Sequence, residues 1–275
     1  MNPSRYYDSI KGELSNFGEN AVADVGKIMT LVQSLKVAAN DVMKVVQYIY
    51  ITHYQAVKGE DANKARQSWV AASGNNFEEF MRHFINDNLN TEGILAVKGD
   101  RLRQNPKAAN IVRFLTLKAN RRCTQTTTGV WPDSDIVVLA RETTENLKAF
   151  ALLNCKTSDH SRNDAVLFWA LALRDNNIKY CLLTQDLDNR FTKGDSDPQV
   201  SSLRRKAEAF LDRVYSTNPA TAECSQVKRL DFSTAHSADA LLTDLRRWRQ
   251  DVVPNFTSNA LEESFLLSKP SQKMT

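Results

Sequence analysis

No run of about 18 apolar residues occurs in this 275-residue chain, so no helix of it is expected to span a membrane. The amino terminus, Met1-Asn2-Pro3-Ser4-Arg5-Tyr6-Tyr7-Asp8, lacks the apolar segment of a secretory signal, and a cytoplasmic location is expected. Cysteine is scarce. Four residues, at 123, 155, 181 and 224, show no metal-ligand spacing, and two fall in apolar strand-like runs. They read as reduced core thiols. The four histidines form no HxxxH or HxH pattern. His53, His83 and His236 read as structural or surface residues, and His160 alone falls in a chemically interesting loop. There is no glycine-rich phosphate loop, no internal repeat and no low-complexity segment.

What remains is an ordinary globular composition, 42% apolar and 25% charged, in a chain long enough to bury a full core. The net charge of +4 permits a polyanionic partner without demanding one. The charge is uneven. Lys98 to Arg122 holds Lys98, Arg101, Arg103, Lys107, Arg113, Lys118, Arg121 and Arg122 against the single acid Asp100. Smaller clusters occur at Arg204-Arg205-Lys206 and at Arg246, Arg247 and Arg249.

Periodicity organises the rest. Val22, Val25, Ile28, Met29, Val32 and Leu35 stripe one expected helix over 20–37, and Val42, Val45, Val46, Ile49 and Tyr50 stripe a second over 40–57. After a polar break from Lys58 to Asn63, Ser73 or Asn75 is expected to cap a helix through Phe77, Phe80, Met81, Phe84 and Ile85, with Glu78 and Glu79 in its first turn. Residues 107–122 fit helix or strand. Cys123 to Gly129 reads as a threonine-rich loop. A helix over 164–173 leads to a strand over 179–184, which implies a parallel crossover. Further elements are a helix over 200–215, a short strand at 227–232 and a helix through Leu241, Leu245, Trp248 and Val252. The expected domains are a helical part (1–63), an α/β core (64–254) and a polar tail (255–275).

Two short apolar runs carry the chemistry. Trp131-Pro132-Asp133-Ser134-Asp135-Ile136-Val137-Val138-Leu139 has acids where its strand begins, and Phe150-Ala151-Leu152-Leu153-Asn154-Cys155-Lys156-Thr157-Ser158 has a lysine where its strand ends. The polar, turn-like segment Arg141 to Asn146 makes the pair a hairpin, which sets an Asp beside a Lys at one sheet edge. A carboxylate holds Mg²⁺, and a nearby ammonium orients or activates water against a phosphodiester.

These runs resemble the core of PD-(D/E)xK nucleases, and among them type II restriction endonucleases that read CCGG-type sites. Ser68-Trp69-Val70-Ala71-Ala72-Ser73-Gly74-Asn75-Asn76-Phe77-Glu78-Glu79-Phe80 is similar to the start of the first core helix, where the family often carries an active-site glutamate. Cys155-Lys156-Thr157-Ser158 with Arg162 resembles the Lys-Thr-Ser/Thr turn that, in relatives cutting C·G-rich sites, enters the major groove with the helix that follows. Tyr180-Cys181-Leu182-Leu183-Thr184-Gln185-Asp186 resembles the next core strand. The likeness spans residues 66 to 190. It departs at Asn154, where the family has Glu or Asp, and at Ser161, where close relatives have an acid.

The resemblance implies a restriction-endonuclease-like α/β/α sandwich with a mixed central sheet and an added N-terminal helical layer. It implies Mg²⁺-dependent, sequence-specific cleavage of double-stranded DNA by a prokaryotic cytoplasmic homodimer on a short palindrome. The catalytic set it implies is Asp135 (Asp133 second), Lys156, Glu78 (Glu79 near it) and Asn154, with Asp164 another possible donor. The metal would be held by Asp135, Glu78 and the main-chain carbonyl of Cys155. DNA contacts would come from Ser158, Asp159, His160, Arg162 and Asn163, and from Arg101 and Arg103 in the basic segment. The alternatives are a repair or nicking nuclease, one subunit of a heterodimeric pair, a DNA-binding protein with a degenerate core, and an α/β scaffold without a nucleic-acid role.

Overall fold

The computed structural model describes residues 3–16, 28, 31–32, 34–35, 37, 39–121, 126–142, 146–157, 163–194, 196–231 and 239–254. The chain divides into two compact units, residues 1–80 with 230–238 and residues 81–229 with 239–275.

In the first unit, helices α1 (Ser4–Asn16), α2 (Ala39–Lys58) and the first part of α3 (Ala62–Leu89) share one apolar core. The expected stripe of α2 is buried at Val45, Val46, Ile49 and Tyr50. Tyr50 packs on Trp69 with ring centroids 5.5 Å apart and shares a 2.7 Å hydrogen bond with Ser68. Of the helix expected over 20–37, Ile28 and Val32 are helical and buried, and most of the remainder lies outside the described residues. Gly59 ends α2 in the left-handed region (φ 64°), and its N–H donates to the Gln55 carbonyl at 3.0 Å.

The cap expected at Ser73 or Asn75 is not there. α3 starts eleven or more residues earlier. Asp61 caps it, accepting from the N–H groups of Asn63 and Lys64 at 2.7 and 3.0 Å. Ser73, Gly74, Asn75 and Asn76 are poor helix formers, but Ala65, Trp69, Phe77, Met81, Ile85 and Leu89 lie on one row at four-residue spacing and are all buried. Packing of that row overrides local propensity. Glu78 and Glu79 are therefore mid-helix residues.

The second unit is built on a six-stranded mixed sheet in the order β1-β4-β5-β6-β7-β8. Its strands are β1 (Ile94–Lys98), β4 (Ile136–Arg141), β5 (Leu147–Lys156), β6 (Lys179–Thr184), β7 (Arg213–Ser216) and β8 (Val227–Arg229). β1, β4 and β5 pair antiparallel, and β5 through β8 pair parallel. β2 (Leu117–Arg121) and β3 (Thr126–Val130) form a separate antiparallel ribbon.

Side chains alternate across a strand, so each face can be followed by register. One face, with Val97, Val137, Leu152, Tyr180, Leu182 and Val214, packs on α4 (Gly99–Arg103), α5 (Ala109–Leu115), α6 (Asn163–Ala172) and α7 (Ser202–Phe210). Tyr215, one residue on from Val214, points the other way. Its hydroxyl donates to Asp244 of α8 (Asp239–Val252) at 2.7 Å, and Arg213 Nε meets the same carboxylate at 2.8 Å. Helices thus cover both faces, as expected of an α/β/α sandwich. The free edge of β1 is closed by Asn86, whose amide accepts from the Ala96 N–H at 2.7 Å and donates to the Ala96 carbonyl at 3.0 Å.

Three local expectations are corrected. The threonine-rich segment is a strand from Thr126, because β-branched residues fit a pleated ribbon paired with β2. The helix expected to 215 ends at Phe210, and Val214 and Tyr215 instead enter the sheet beside β6. β1 was not expected at all. Ile94-Leu95-Ala96-Val97 is too short a run to separate from a buried helical turn by periodicity.

Candidate active site

The approach to β4 is held by backbone contacts. Pro132 is buried, and Ser134 Oγ donates to the Ile136 carbonyl at 3.0 Å. The Asp133 carbonyl accepts twice, from Asn154 Nδ2 at 2.8 Å and from the Tyr180 hydroxyl at 2.6 Å. Burial, and then the charges of Asp133 and Asp135, push the Tyr180 phenol far above its usual range, so it remains a neutral donor. On the other side, the N–H of Gly99 donates to the Asp135 carbonyl at 3.0 Å. A Cβ on Gly99 would lie 2.1 Å from the Ser134 carbonyl oxygen. Only glycine lets β1 end this close to the segment that carries the acid.

Strand periodicity does the rest. Asn154 and Lys156 are two apart on β5 and share the face of Leu152. Ile136 pairs with Leu153, so Asp135 falls opposite Asn154, on the face of Val137. Lys156 Nζ lies 3.7 Å from Asp135 Oδ2, and the Cys155 N–H donates to the same oxygen at 2.6 Å. Burial raises the Asp135 carboxyl above its ordinary value. Lys156 and the Cys155 N–H pull it back, and Asp133 adds to the rise. The Asp–Lys juxtaposition expected from the hairpin is therefore present.

Two further oxygens suit a hard cation. Asn154 is fully buried, and its Oδ1 has no hydrogen-bond partner among the described residues. The amide orientation follows from the Asp133 carbonyl, which only the NH₂ end can satisfy. The Cys155 N–H points toward Asp135, and in a strand the carbonyl of a residue projects toward the same neighbour as its N–H, so the Cys155 carbonyl faces the end of β4. A carboxylate, an orphaned amide oxygen and a main-chain carbonyl fit Mg²⁺, which takes oxygen ligands and keeps several waters. Among the described residues no three His, Cys, Asp or Glu side chains converge as a metal-binding group.

The other expected residues are placed as follows. Glu78 and Glu79 lie in the part of α3 that belongs to the first unit, whereas Asp135 and Lys156 belong to the second. Asp133 is exposed. Asp164 is exposed on the first turn of α6 and pairs with Lys206 at 3.4 Å. Asn163 opens α6; Ser158, Asp159, His160 and Arg162 lie outside the described residues. Arg101 and Arg103 are exposed on α4, directly after Gly99. Asp186 is a loop staple: its carboxylate accepts from the N–H groups of Arg190 and Phe191, and its own N–H donates to Thr184 Oγ1. Gly99 and Tyr180 were not foreseen as site residues. Both act through partners more than 30 positions away in sequence, a relation no local pattern carries.

Residues 116–235 match the family model described as BsaWI restriction endonuclease type 2. That segment holds Asp135, Asn154 and Lys156. The middle of the chain, with these three residues, is similar to a type II restriction endonuclease. Similar solved structures are the pre-specific restriction endonuclease BsaWI–DNA complex (15% identity, TM-score 0.44, covering 91% of this chain and 94% of that one) and the specific restriction endonuclease AgeI–DNA complex (15% identity, TM-score 0.48, covering 82% and 92%). No curated protein matches the chain.

Two outcomes follow for this core. Gly99→Ala forces the Ser134 carbonyl aside, and overpacking of this kind costs about 1–3 kcal/mol. Displacing Asp135 by as little as ~1 Å lowers DNA cleavage by roughly 100-fold. Thermal unfolding and a cleavage time course check both. Asp135→Asn abolishes cleavage yet does not destabilise the protein in EDTA. The raised carboxyl pKa means that the folded state disfavours the ionised form. The stability this group contributes is full below its ordinary value of 3.8 and is lost as pH rises through the higher folded value. The Tm of the variant minus that of the wild type should therefore grow from pH ~4 toward neutrality. A variant less stable than wild type at neutral pH contradicts this.

Proposed function

We propose that this core hydrolyses phosphodiester bonds in both strands of a short palindromic DNA site, as a Mg²⁺-dependent homodimer. The observation that carries the reading is the set Asp135, Asn154 and Lys156 on one sheet face, with the Lys156 ammonium 3.7 Å from the Asp135 carboxylate. Mg²⁺, held by Asp135, Asn154 Oδ1 and the Cys155 carbonyl, would supply Lewis acidity toward the scissile phosphate. Lys156 positions the attacking water and offsets the negative charge that develops on the phosphate. Asp135 keeps Lys156 aimed, and Tyr180 and Gly99 hold the backbone that carries Asp135. Asn154 brings no charge where the family has an acid.

Sequence readout is assigned to the segment that leaves Lys156: Ser158, Asp159, His160, Arg162 and Asn163. Arginine pairs bidentately with guanine, asparagine with adenine, and an acid accepts from cytosine. A palindrome presents two equivalent scissile phosphates, so two copies related by a twofold axis are needed.

The test is incubation of purified protein with plasmid and long viral DNA, in Mg²⁺ and in EDTA, beside Lys156→Ala. Discrete Mg²⁺-dependent fragments, absent with the variant, are the expected result, and mapping their ends gives the site. A smear contradicts site-specific cutting. No cutting by folded wild-type protein contradicts the catalytic role and leaves a DNA-binding protein.

A further inference from the structure

Asn154 is where β5 departs from the acid that the resemblance leads one to expect, and its surroundings call for a donor. Its Nδ2 donates to the Asp133 carbonyl at 2.8 Å. The Tyr180 hydroxyl donates to the same carbonyl at 2.6 Å. Both side chains are buried, Asn154 fully so. A carbonyl oxygen has two lone pairs, and two donors are present to meet them. Tyr180 stands on β6 two residues before Leu182, the register partner of Asn154. The two side chains therefore share one face and reach the Asp133 carbonyl from neighbouring strands.

This leaves the amide no freedom. Turned end for end, Asn154 would set its oxygen against the Asp133 oxygen, acceptor against acceptor. Held as it is, Nδ2 is committed to the main chain, and Oδ1 is left without a hydrogen-bond partner among the described residues.

A carboxylate in place of the amide fails the same count. It has no proton to donate, so one of its oxygens would lie where Nδ2 lies, against the carbonyl. Tyr180 has a single proton. Turned toward the carboxylate, it would abandon the Asp133 carbonyl, and a buried acceptor stripped of its donors is costly. A second carboxylate would also sit beside Asp135, which falls opposite Asn154, and would compete with it for Lys156.

We propose that Tyr180 and the Asp133 carbonyl form a positioning pair that requires a neutral amide at position 154 and leaves its Oδ1 free to ligate the metal. Asn154 is then built into the site and is not a decayed acid, and Tyr180 is a positioning residue for metal binding. This rests on the nuclease reading above.

The experiment is a calorimetric Mg²⁺ titration of the full-length protein bound to a short mixed-sequence duplex that it does not cut. Thermal unfolding and DNA binding, both in EDTA, are measured beside it. The wild type is compared with Tyr180→Phe, which keeps the ring in the core, and with Asn154→Asp, which reinstates the family's acid. Partners that orient a metal ligand contribute about 10–100-fold to metal affinity. Tyr180→Phe should therefore weaken Mg²⁺ binding by about 10–100-fold while its DNA affinity in EDTA stays at the wild-type value. Asn154→Asp adds a charge, yet should bind Mg²⁺ no more tightly than the wild type and unfold at a lower temperature in EDTA. Tighter Mg²⁺ binding by Asn154→Asp, or wild-type Mg²⁺ affinity in Tyr180→Phe, overturns the positioning pair and leaves the nuclease reading standing. Loss of DNA binding by Tyr180→Phe in EDTA also overturns it, because the phenol would then support the site at large. Should Asn154→Asp not fold, Tyr180→Phe alone decides. Wild-type protein that binds neither DNA nor Mg²⁺ overturns the nuclease reading and the positioning pair with it.

Discussion

A half-buried carboxylate at the start of a buried strand is the constraint around which this core is arranged. Asp135 is held out of water by the sheet, and burial alone would favour its neutral form. The Cys155 N–H and the Lys156 ammonium oppose that, and both come from the strand hydrogen-bonded to β4. The same pairing that builds the sheet therefore builds the charge balance. The backbone around Asp135 is fixed from three sides: Gly99 where α4 follows β1, Asn154 from β5 and Tyr180 from β6. Three contacts from separate elements converge on one short segment, and the rest of the second unit keeps those elements in place.

The mixed topology has a function in this light. An antiparallel β4–β5 pair brings the beginning of one strand to the end of the next, so an acid at 135 meets a lysine at 156 without a long loop. The parallel strands that follow send their carboxyl ends to the same side, and Gln185 and Leu187 close onto the backbone of Lys156 and Thr157 there. Asn154 shows what the arrangement costs. It is fully buried with an unpartnered oxygen, a conflict that a purely structural core would remove and a metal ligand would resolve. Sites of this kind trade stability for chemistry.

Much of the core was legible because its strands are short, apolar and β-branched. Ile136 to Leu139, Phe150 to Cys155 and Tyr180 to Leu183 announce themselves, and the polar segment between the first two dictates a hairpin. The order acid, lysine, crossover helix, next strand then follows from chain geometry. What was not legible depended on distant partners. β1 is a four-residue apolar run whose strand character comes from pairing with β4 and from the Asn86 clamp. α3 passes through Ser73-Gly74-Asn75-Asn76 because a buried row on either side of that stretch carries it. Val214 and Tyr215 continue a helical stripe in sequence but are claimed by β6. Gly99 is an unremarkable glycine until the Ser134 carbonyl is seen against it.

The proposed function gives two residues roles that cleavage assays merge: Asp135 would hold the metal, whereas Lys156 would act on water and phosphate. The measurement that tests this most directly is a calorimetric Mg²⁺ titration of the protein bound to duplex DNA, for wild type, Asp135→Asn and Lys156→Ala. The account predicts that Asp135→Asn loses the Mg²⁺ binding seen in wild type. It predicts that Lys156→Ala retains it, since removing a cation 3.7 Å from the ligand carboxylate takes away a competitor for that oxygen. Undiminished Mg²⁺ binding by Asp135→Asn would contradict the account.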